Sequence, residues 1–469
     1  MSGQIKIINT PRAFLCALVI LLSFASSSCA RSECNSAPPI SNTPISDGLG
    51  VNIHFTDPRP GEIKMIADAG FRWVRMDFIW NLTETAAGKY DFTPYDRLMS
   101  ALEPYKIRAL FILDYNNPLY DGGDSPRTEE GRQGFARWAA AAAKHFQGRG
   151  IIWEMYNEPN HVFWRPRPNV ADYISLALAV GKAIRQATPG ETFIGPATGI
   201  DFAFLEACFK GGLLEYWSAV SVHPYRQTDP ETVSEDYCRL RQLIARYAPL
   251  VRTRSGSDGA PVTTPGNSDS VTKQIPIISG EWGYSSAWRG MNEEKQGERL
   301  ARQWLTNAVN GVQISIWYDW HDDGQDPNQA EHRFGTVSHD YKAGVDSQGM
   351  IYDAKPAYLA AKTLSSFFDG YRFVKRLQVG GANDYVLLFR KGNETRLAAW
   401  TTFPIAHDVV IKTSAPDFKL IPVVSSSRTE VNALRFITTT HLGKAGAPIS
   451  AQRDELIITL TNSPQYLSQ

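Results

Sequence analysis

The stretch IIWEMYNEPN, Ile151–Asn160, decides how this 469-residue chain is read. Ile151, Ile152 and Trp153 form a short β-branched and aromatic run bounded by Gly148 and Gly150, the pattern of a buried strand. The run closes on Asn157, Glu158, Pro159 and Asn160. Pro159 has no N–H to give a sheet ladder, so the strand is expected to stop near Glu158. That leaves a carboxylate at the carboxyl end of a parallel strand, where barrel folds carry their chemistry. The plainer reading is a strand that ends in a polar turn, and the flanking sequence decides between the two.

Upstream, Leu49–Phe55, Trp73–Phe78 and Ile107–Asp114 read as strands. Downstream, Thr192–Gly195, Ala219–His223, Ile275–Ser279 and Val312–Tyr318 do the same. Helical patterns separate them: Glu62–Ala69, Asp96–Tyr105, Thr128–Phe146, Val170–Ala187, Ala203–Lys210, Glu235–Tyr247 and Glu293–Asn310, with Lys355–Asp369 closing the series. Eight strands alternating with helices predict an α/β fold, a (β/α)8 TIM barrel over residues 48–368. The runner-up is a doubly wound open sheet. It would carry a Gly-rich phosphate turn after its first strand, and none is present. Residues 253–274 are Ser, Gly, Thr, Asp and Pro-rich and read as a mobile insertion. From 369 to 469 the texture changes to short alternating segments: Tyr371–Leu377, Tyr385–Arg390, Arg396–Thr402, Asp408–Lys412 and Glu455–Leu460. These predict a small all-β sandwich. Such a module either packs on the barrel or binds carbohydrate; packing is the preferred reading.

The N-terminus has the order of an export signal. Lys6 and Arg12 precede the apolar run Ala13–Ala25, and Ser26–Ser28 follow. Residues 1–30 read as a signal peptide, with Cys29 as a lipid-bearing residue in the alternative, and 31–47 as a linker. The location expected is outside the cytoplasm: secreted, periplasmic or on the cell surface. No later apolar run is long enough to span a bilayer. Export permits disulfides. Cys208 and Cys238 flank one strand-and-loop unit and either pair or remain two buried thiols. Lys+Arg and Asp+Glu balance at 48 each, so the charge suggests neither nucleic acid nor an anionic membrane surface as partner. No CxxC or HExxH spacing marks a zinc site, and no metal or cofactor is expected.

The polar residues at or just past the strand ends converge on one face of such a barrel. Strand two gives Arg75 and Asp77, strand four Asn157 and Glu158, and strand six His223 and Tyr225. Strand seven gives Glu281, and strand eight Trp317, Asp319 and Trp320. Glu158 and Glu281 sit across one mouth. Glycosidic cleavage needs two carboxyls, one to protonate the leaving oxygen and one to attack the anomeric carbon or activate water. Glu154, four residues before Glu158, is a rival carboxylate on strand parity. His161, Phe163, Trp164, Arg165 and Arg167 crowd the next loop, to stack on and bond added sugar units or to pack on a neighbour. Asp319, Asp322, Asp323 and Asp326 form an acidic loop read as solvated in preference to calcium-binding.

On these residues the chain resembles the clan A glycoside hydrolases, families 5 and 39 among them, over about residues 47–365. The motif WEMYNEPN carries the resemblance, with Arg75, VHPY (His223, Tyr225), SGEWGY (Glu281) and Trp317 in order. The resemblance implies that Glu158 is the acid/base and Glu281 the nucleophile of a retaining mechanism. Glu158 must then hold its proton near neutral pH, so enclosure and the Glu281 charge are expected to raise it. Glu281 must stay ionised, with Arg75 and Tyr225 in support. Asn157 suits the sugar 2-hydroxyl, and His223 orients Glu158 or a sugar hydroxyl. Trp317, or else Trp320, floors the reacting subsite. The substrate expected is a polysaccharide or oligosaccharide. The alternatives are a non-catalytic polysaccharide-binding protein on a glycosidase-like barrel and a metal-dependent barrel hydrolase. Paired carboxylates with Asn157 and Tyr225 count against the first, and the lack of a His-x-His pair on strand one against the second. The sequence sets no oligomeric state.

Overall fold

The computed structural model describes residues 43–252, 270–342, 344, 349–412, 419–422, 435–438 and 453–468. The expected signal peptide, Cys29 and most of the linker lie outside the described residues. Eight parallel strands close into a barrel. They are β1 (Leu49–Asn52), β2 (Trp73–Ile79), β3 (Arg108–Asp114), β4 (Ile152–Met155), β5 (Thr192–Gly199), β6 (Val220–His223), β7 (Ile277–Trp282) and β8 (Ser315–Trp317). β1 pairs with both β2 and β8, which shuts the sheet on itself. Helices α1 (Glu62–Asp68), α2 (Thr93–Leu102), α3 (Glu129–His145), α4 (Val170–Ala187), α5 (Phe202–Lys210), α6 (Val233–Tyr247), α7 (Glu293–Val309) and α8 (Pro356–Phe367) surround it.

Local chemistry sets these boundaries. Thr128 caps α3 by accepting from Gly131 N–H, and Asn169 caps α4 by accepting from Ala171 and Asp172. Gly70, at φ 86°, turns the chain from α1 toward β2. The barrel has two apolar layers. Trp73, Leu110, Ile112, Ile152, Ile194, Ile278 and Ile316 fill the closed end of the lumen. A much larger shell of Phe, Trp and aliphatic side chains joins the outside of the strands to the helices. Strand alternation follows from there: Trp73 faces the lumen floor, Arg75 the middle and Asp77 the mouth.

The polar insertion is entered and left through an antiparallel hairpin, Leu250–Arg252 with Ser270–Thr272; residues 253–269 lie outside the described residues. The C-terminal strands are β9 (Arg372–Arg376), β10 (Asp384–Lys391), β11 (Glu394–Thr401), β12 (His407–Lys412), β13 (Lys419–Pro422), β14 (Arg435–Thr438), β15 (Arg453–Leu460) and β16 (Gln465–Ser468). They form sheets of order β9-β10-β11-β16-β13 and β12-β15-β14 over a core that includes Val386, Leu397, Val409, Leu456 and Leu467. This unit packs on the barrel. Phe367, the last residue of α8, and Phe368, its C-cap, meet Tyr466 with ring centroids 5.2 and 5.1 Å apart. Trp400 Nε1 donates to Glu231 at 2.7 Å, beside the buried Glu231–Arg302 pair. β13, β14 and β16 are additions to the sequence reading.

The cysteines differ from both expectations. Cys208 is a free, buried thiol, whereas Cys238 is disulfide-bonded, so the two neither pair nor form a matched set of thiols. Among the described residues no helix is long and apolar enough to cross a membrane.

Candidate active site

Arg75 organises the mouth of the barrel. It is 1% exposed and spends all five N–H groups. Nε donates to Glu154 (2.7 Å), and Nη1 to Asn52 (3.1 Å) and Glu281 (2.5 Å). Nη2 donates to Asn157 (2.9 Å) and faces His223 Nε2 at 3.3 Å. Burial alone would lower the guanidinium pKa, but Glu154 and Glu281 hold it raised. Glu154 faces inward as strand parity requires. It is buried, however, and taken up by Arg75 and the Ser221 hydroxyl, so it serves as a support beneath the cavity.

Glu158 reaches the mouth by a route the sequence did not show. β4 ends at Met155, three residues before Glu158, so Pro159 does not terminate it. The chain turns through left-handed backbone at Tyr156 (φ 57°) and Glu158 (φ 43°) instead. Glu158 N–H is caught by Ala197 O at 2.8 Å. The side chain contacts His223 Nδ1 at 3.0 Å. Arg75 can only donate, so His223 Nε2 is the acceptor there and the ring proton on Nδ1 points at Glu158.

Glu281 lies inside β7. Between Ser279 and Trp282 that strand carries one residue more than β8 does between Ser315 and Trp317. The bulge lets both Gly280 and Glu281 face the lumen. A methyl on Gly280 would sit 2.2 Å from the Ser221 hydroxyl and 2.9 Å from Glu154. Glu281 accepts from Tyr225 OH at 2.8 Å as well as from Arg75. Carboxylate oxygens of Glu158 and Glu281 approach within 4.8 Å of each other.

The protonation of Glu158 runs against expectation. Burial pushes its carboxyl up. The hydrogen bond from His223, with His161 and Arg75, outweighs burial and holds it below the ordinary glutamate value. At the far wall, burial would lower His54, but Asp319, at 3.4 Å, with Asp323 and Asp77, carries its pKa to about 9.

These groups line a cavity of about 530 Å³. Asn157, Glu158, Tyr225, Glu281 and Arg75 all reach it, and His223 backs Glu158 from beneath. Asn157 gives its oxygen to Arg75 and one N–H to Tyr115, which leaves a second N–H for a ligand. Three expected aromatics do not line it. Trp317 (0% exposed) donates to Phe334 O, Trp320 (1%) donates to Glu62, and Trp164 (2%) packs between Tyr156 and Tyr173. Two of their sequence neighbours, Tyr318 and Phe163, line the walls with other aromatics instead. Tyr318, Phe334 and Trp288 form one, and Phe163 stacked on Tyr115 (5.7 Å, 18°) the other. Strand alternation turns Trp317 outward and Tyr318 inward. Asn52, His54, Asp77 and Glu331 complete the lining. The IHF end of the first strand and the terminal Asp of IRALFILD were the available signals for His54 and for Asp114 behind Asp77. The acidic loop is not solvated throughout. Asp319 and Asp322 are buried, and Asp322 is tied to Arg333 and Lys355. Among the described residues, two groups of possible metal ligands place their atoms within 4.8 Å of one another, His54–Asp319–Asp323 and Glu158–His223–Glu281. The first is already joined by the His54–Asp319 ion pair, and the second is the carboxylate pair itself.

A closed (β/α)8 barrel with two glutamates facing each other across its mouth defines the class of clan A glycoside hydrolases. The profile of the cellulase family, glycosyl hydrolase family 5, matches residues 48–324, and the chain belongs to that family and is a glycosidase. Solved structures share the fold. A family 39 glycoside hydrolase from Bacteroides cellulosilyticus is 24% identical, at a TM-score of 0.68 over 91% of this chain and 81% of its own. A family 39 β-xylosidase from Caulobacter crescentus is 17% identical, at 0.57 over 92% and 98%. A family 30 endoxylanase from Clostridium papyrosolvens is 12% identical, at 0.58 over 92% and 97%. No curated protein matches the sequence significantly.

Proposed function

We propose that this protein is an exported, retaining glycosidase that cleaves O-glycosidic bonds of an oligosaccharide or polysaccharide by double displacement. Glu281 is the nucleophile and Glu158 the acid/base. The observation that carries the reading is the approach of the two carboxylates to within 4.8 Å. Retaining enzymes hold the pair at about 5–5.5 Å, whereas inverting ones need about 6.5–9.5 Å to admit a water.

In the first step Glu281 attacks the anomeric carbon while Glu158 gives its proton to the departing oxygen. In the second, Glu158 takes a proton from water, which displaces Glu281 from the sugar. Arg75 and Tyr225 fix the attacking carboxylate in one orientation. The free N–H of Asn157 reads the sugar 2-hydroxyl. Because His223 holds Glu158 below its ordinary value, the acid form is populated at acidic pH, and a sugar that expels water from the cavity raises it further. Export rests on the N-terminal sequence, with free secretion and a lipid on Cys29 as the two forms. NMR of the first product tests the mechanism. The expected product keeps the anomeric configuration of the substrate, and an inverted first product refutes it.

A further inference from the structure

The cavity holds more carboxyl groups than its cations match. Arg75 is shared by Glu154 and Glu281, and His54 is committed to Asp319. Asp77, which lines the cavity, and Asp323 and Glu331 at the rim make no ion pair with a basic side chain among the described residues. Behind Asp77 lies Asp114, 0% exposed, with no hydrogen-bond donor on either carboxyl oxygen. Its carboxyl meets that of Asp77. Two carboxyls in contact cannot both ionise, so they share a proton and retain one negative charge, on which Arg75 and His54 act from nearby without a close ion pair to it. Burial pushes both above the ordinary aspartate value. A buried acid whose only partner is another acid, itself facing a ligand cavity and joined to no cation in a close ion pair, favours a ligand that adds positive charge.

We propose that this wall, Asp77 backed by Asp114 with Glu331 at the rim, is a subsite for a sugar unit bearing a free amino group, so that the glycan contains unacetylated hexosamine. An ammonium supplies both the charge and the donors that the carboxyl pair lacks. A uronate or a sulfated sugar brings a further negative charge and is repelled. The aromatic walls keep the local dielectric low, which strengthens the attraction, and their ring faces favour a cation. The proposal rests on the glycosidase reading of this cavity.

The test is calorimetric binding to the full-length Glu158→Gln protein. The probes are gluco- and galacto-configured hexosamine oligosaccharides, fully deacetylated or N-acetylated, and neutral oligosaccharides of equal length. The deacetylated oligomer of one configuration is expected to bind at least about tenfold tighter than its two counterparts. The margin shrinks as salt rises. Asp77→Asn in the same background brings the ratio close to one. Equal or weaker binding of every deacetylated oligomer overturns the proposal. So does a preference that Asp77→Asn and Asp114→Asn both leave intact. Calcium chloride alone is the control: calcium binding that Asp77→Asn abolishes, without an amine preference, also overturns it. Turnover of aryl glycosides by the unsubstituted protein separates the two readings. An amine preference without any hydrolysis upholds the subsite and refutes the retaining mechanism. Hydrolysis of neutral glycosides without an amine preference refutes the subsite alone.

Discussion

His223→Gln separates two jobs that one imidazole performs. The glutamine oxygen falls near the position of Nε2 and still accepts from Arg75. The donor at Nδ1, 3.0 Å from Glu158, is lost. A hydrogen bond to a charged group contributes about 1.5–3 kcal/mol. At about 1.4 kcal/mol per pH unit, the pKa of Glu158 should rise by roughly one to two units. Glu158 is 20% exposed, so solvent screens only part of this. The sign follows from the chemistry. His223 stabilises the ionised carboxylate, and the working acid is the protonated form. In the free enzyme kcat/KM therefore falls as pH rises through the Glu158 value. Losing the bond moves that alkaline limb upward. The assay is the pH profile of kcat/KM on a glycoside with a poor leaving group, for parent and variant. An unmoved limb, or one displaced to lower pH in a folded variant, would show that His223 does not set the Glu158 proton.

Three further outcomes follow from the same geometry. Glu158→Gln should lower kcat/KM on poor leaving groups by about 10²–10⁴ while sparing kcat/KM on dinitrophenyl glycosides, whose departure needs no proton; comparing the two substrates checks it. Gly280→Ala forces a methyl against Ser221 and Glu154, and should cost about 1–3 kcal/mol, read as a lower denaturant midpoint. Glu231→Ala leaves the buried Arg302 with only Asp229 and removes the acceptor of Trp400. It should destabilise by about 3–5 kcal/mol in thermal or denaturant unfolding, since one member of a buried ion pair is left behind.

Most of the fold was legible because periodicity and punctuation agree. Alternating Trp73, Arg75 and Asp77 state which face of β2 meets the lumen, and the Val170–Ala187 helix carries its own asparagine cap. The errors cluster where the chain departs from regular geometry. The left-handed turn at Tyr156 and Glu158 carries no glycine, so nothing announced that β4 stops at Met155. The bulge in β7 reverses parity around Glu281. At the end of β8 and in the loop after β4, one residue of offset decides whether an aromatic packs or faces the cavity. The family resemblance favoured Trp317, and alternation gave its place to Tyr318; the loop offered both Phe163 and Trp164, and Phe163 is the one that lines the cavity. The lowered Glu158 pKa was hidden for another reason. It depends on which nitrogen of His223 carries the proton, and that is fixed by Arg75, 148 residues away in sequence.

That dependence runs through the whole site. Arg75 meets Glu281 directly and Glu158 only through His223, so one guanidinium orients both carboxylates by different means. Its contact with Glu281 is a charge-assisted bond that holds an anion. Its contact with His223 fixes a tautomer and so aims a donor at Glu158. A lysine at position 75 would keep one positive charge but could not span Glu154, Asn52, Glu281, Asn157 and His223 with a planar fork. The two carboxylates are asymmetric because their link to the same buried cation is direct on one side and relayed on the other. On the proposed retaining mechanism, that asymmetry suits Glu281 to the attack and Glu158 to the proton.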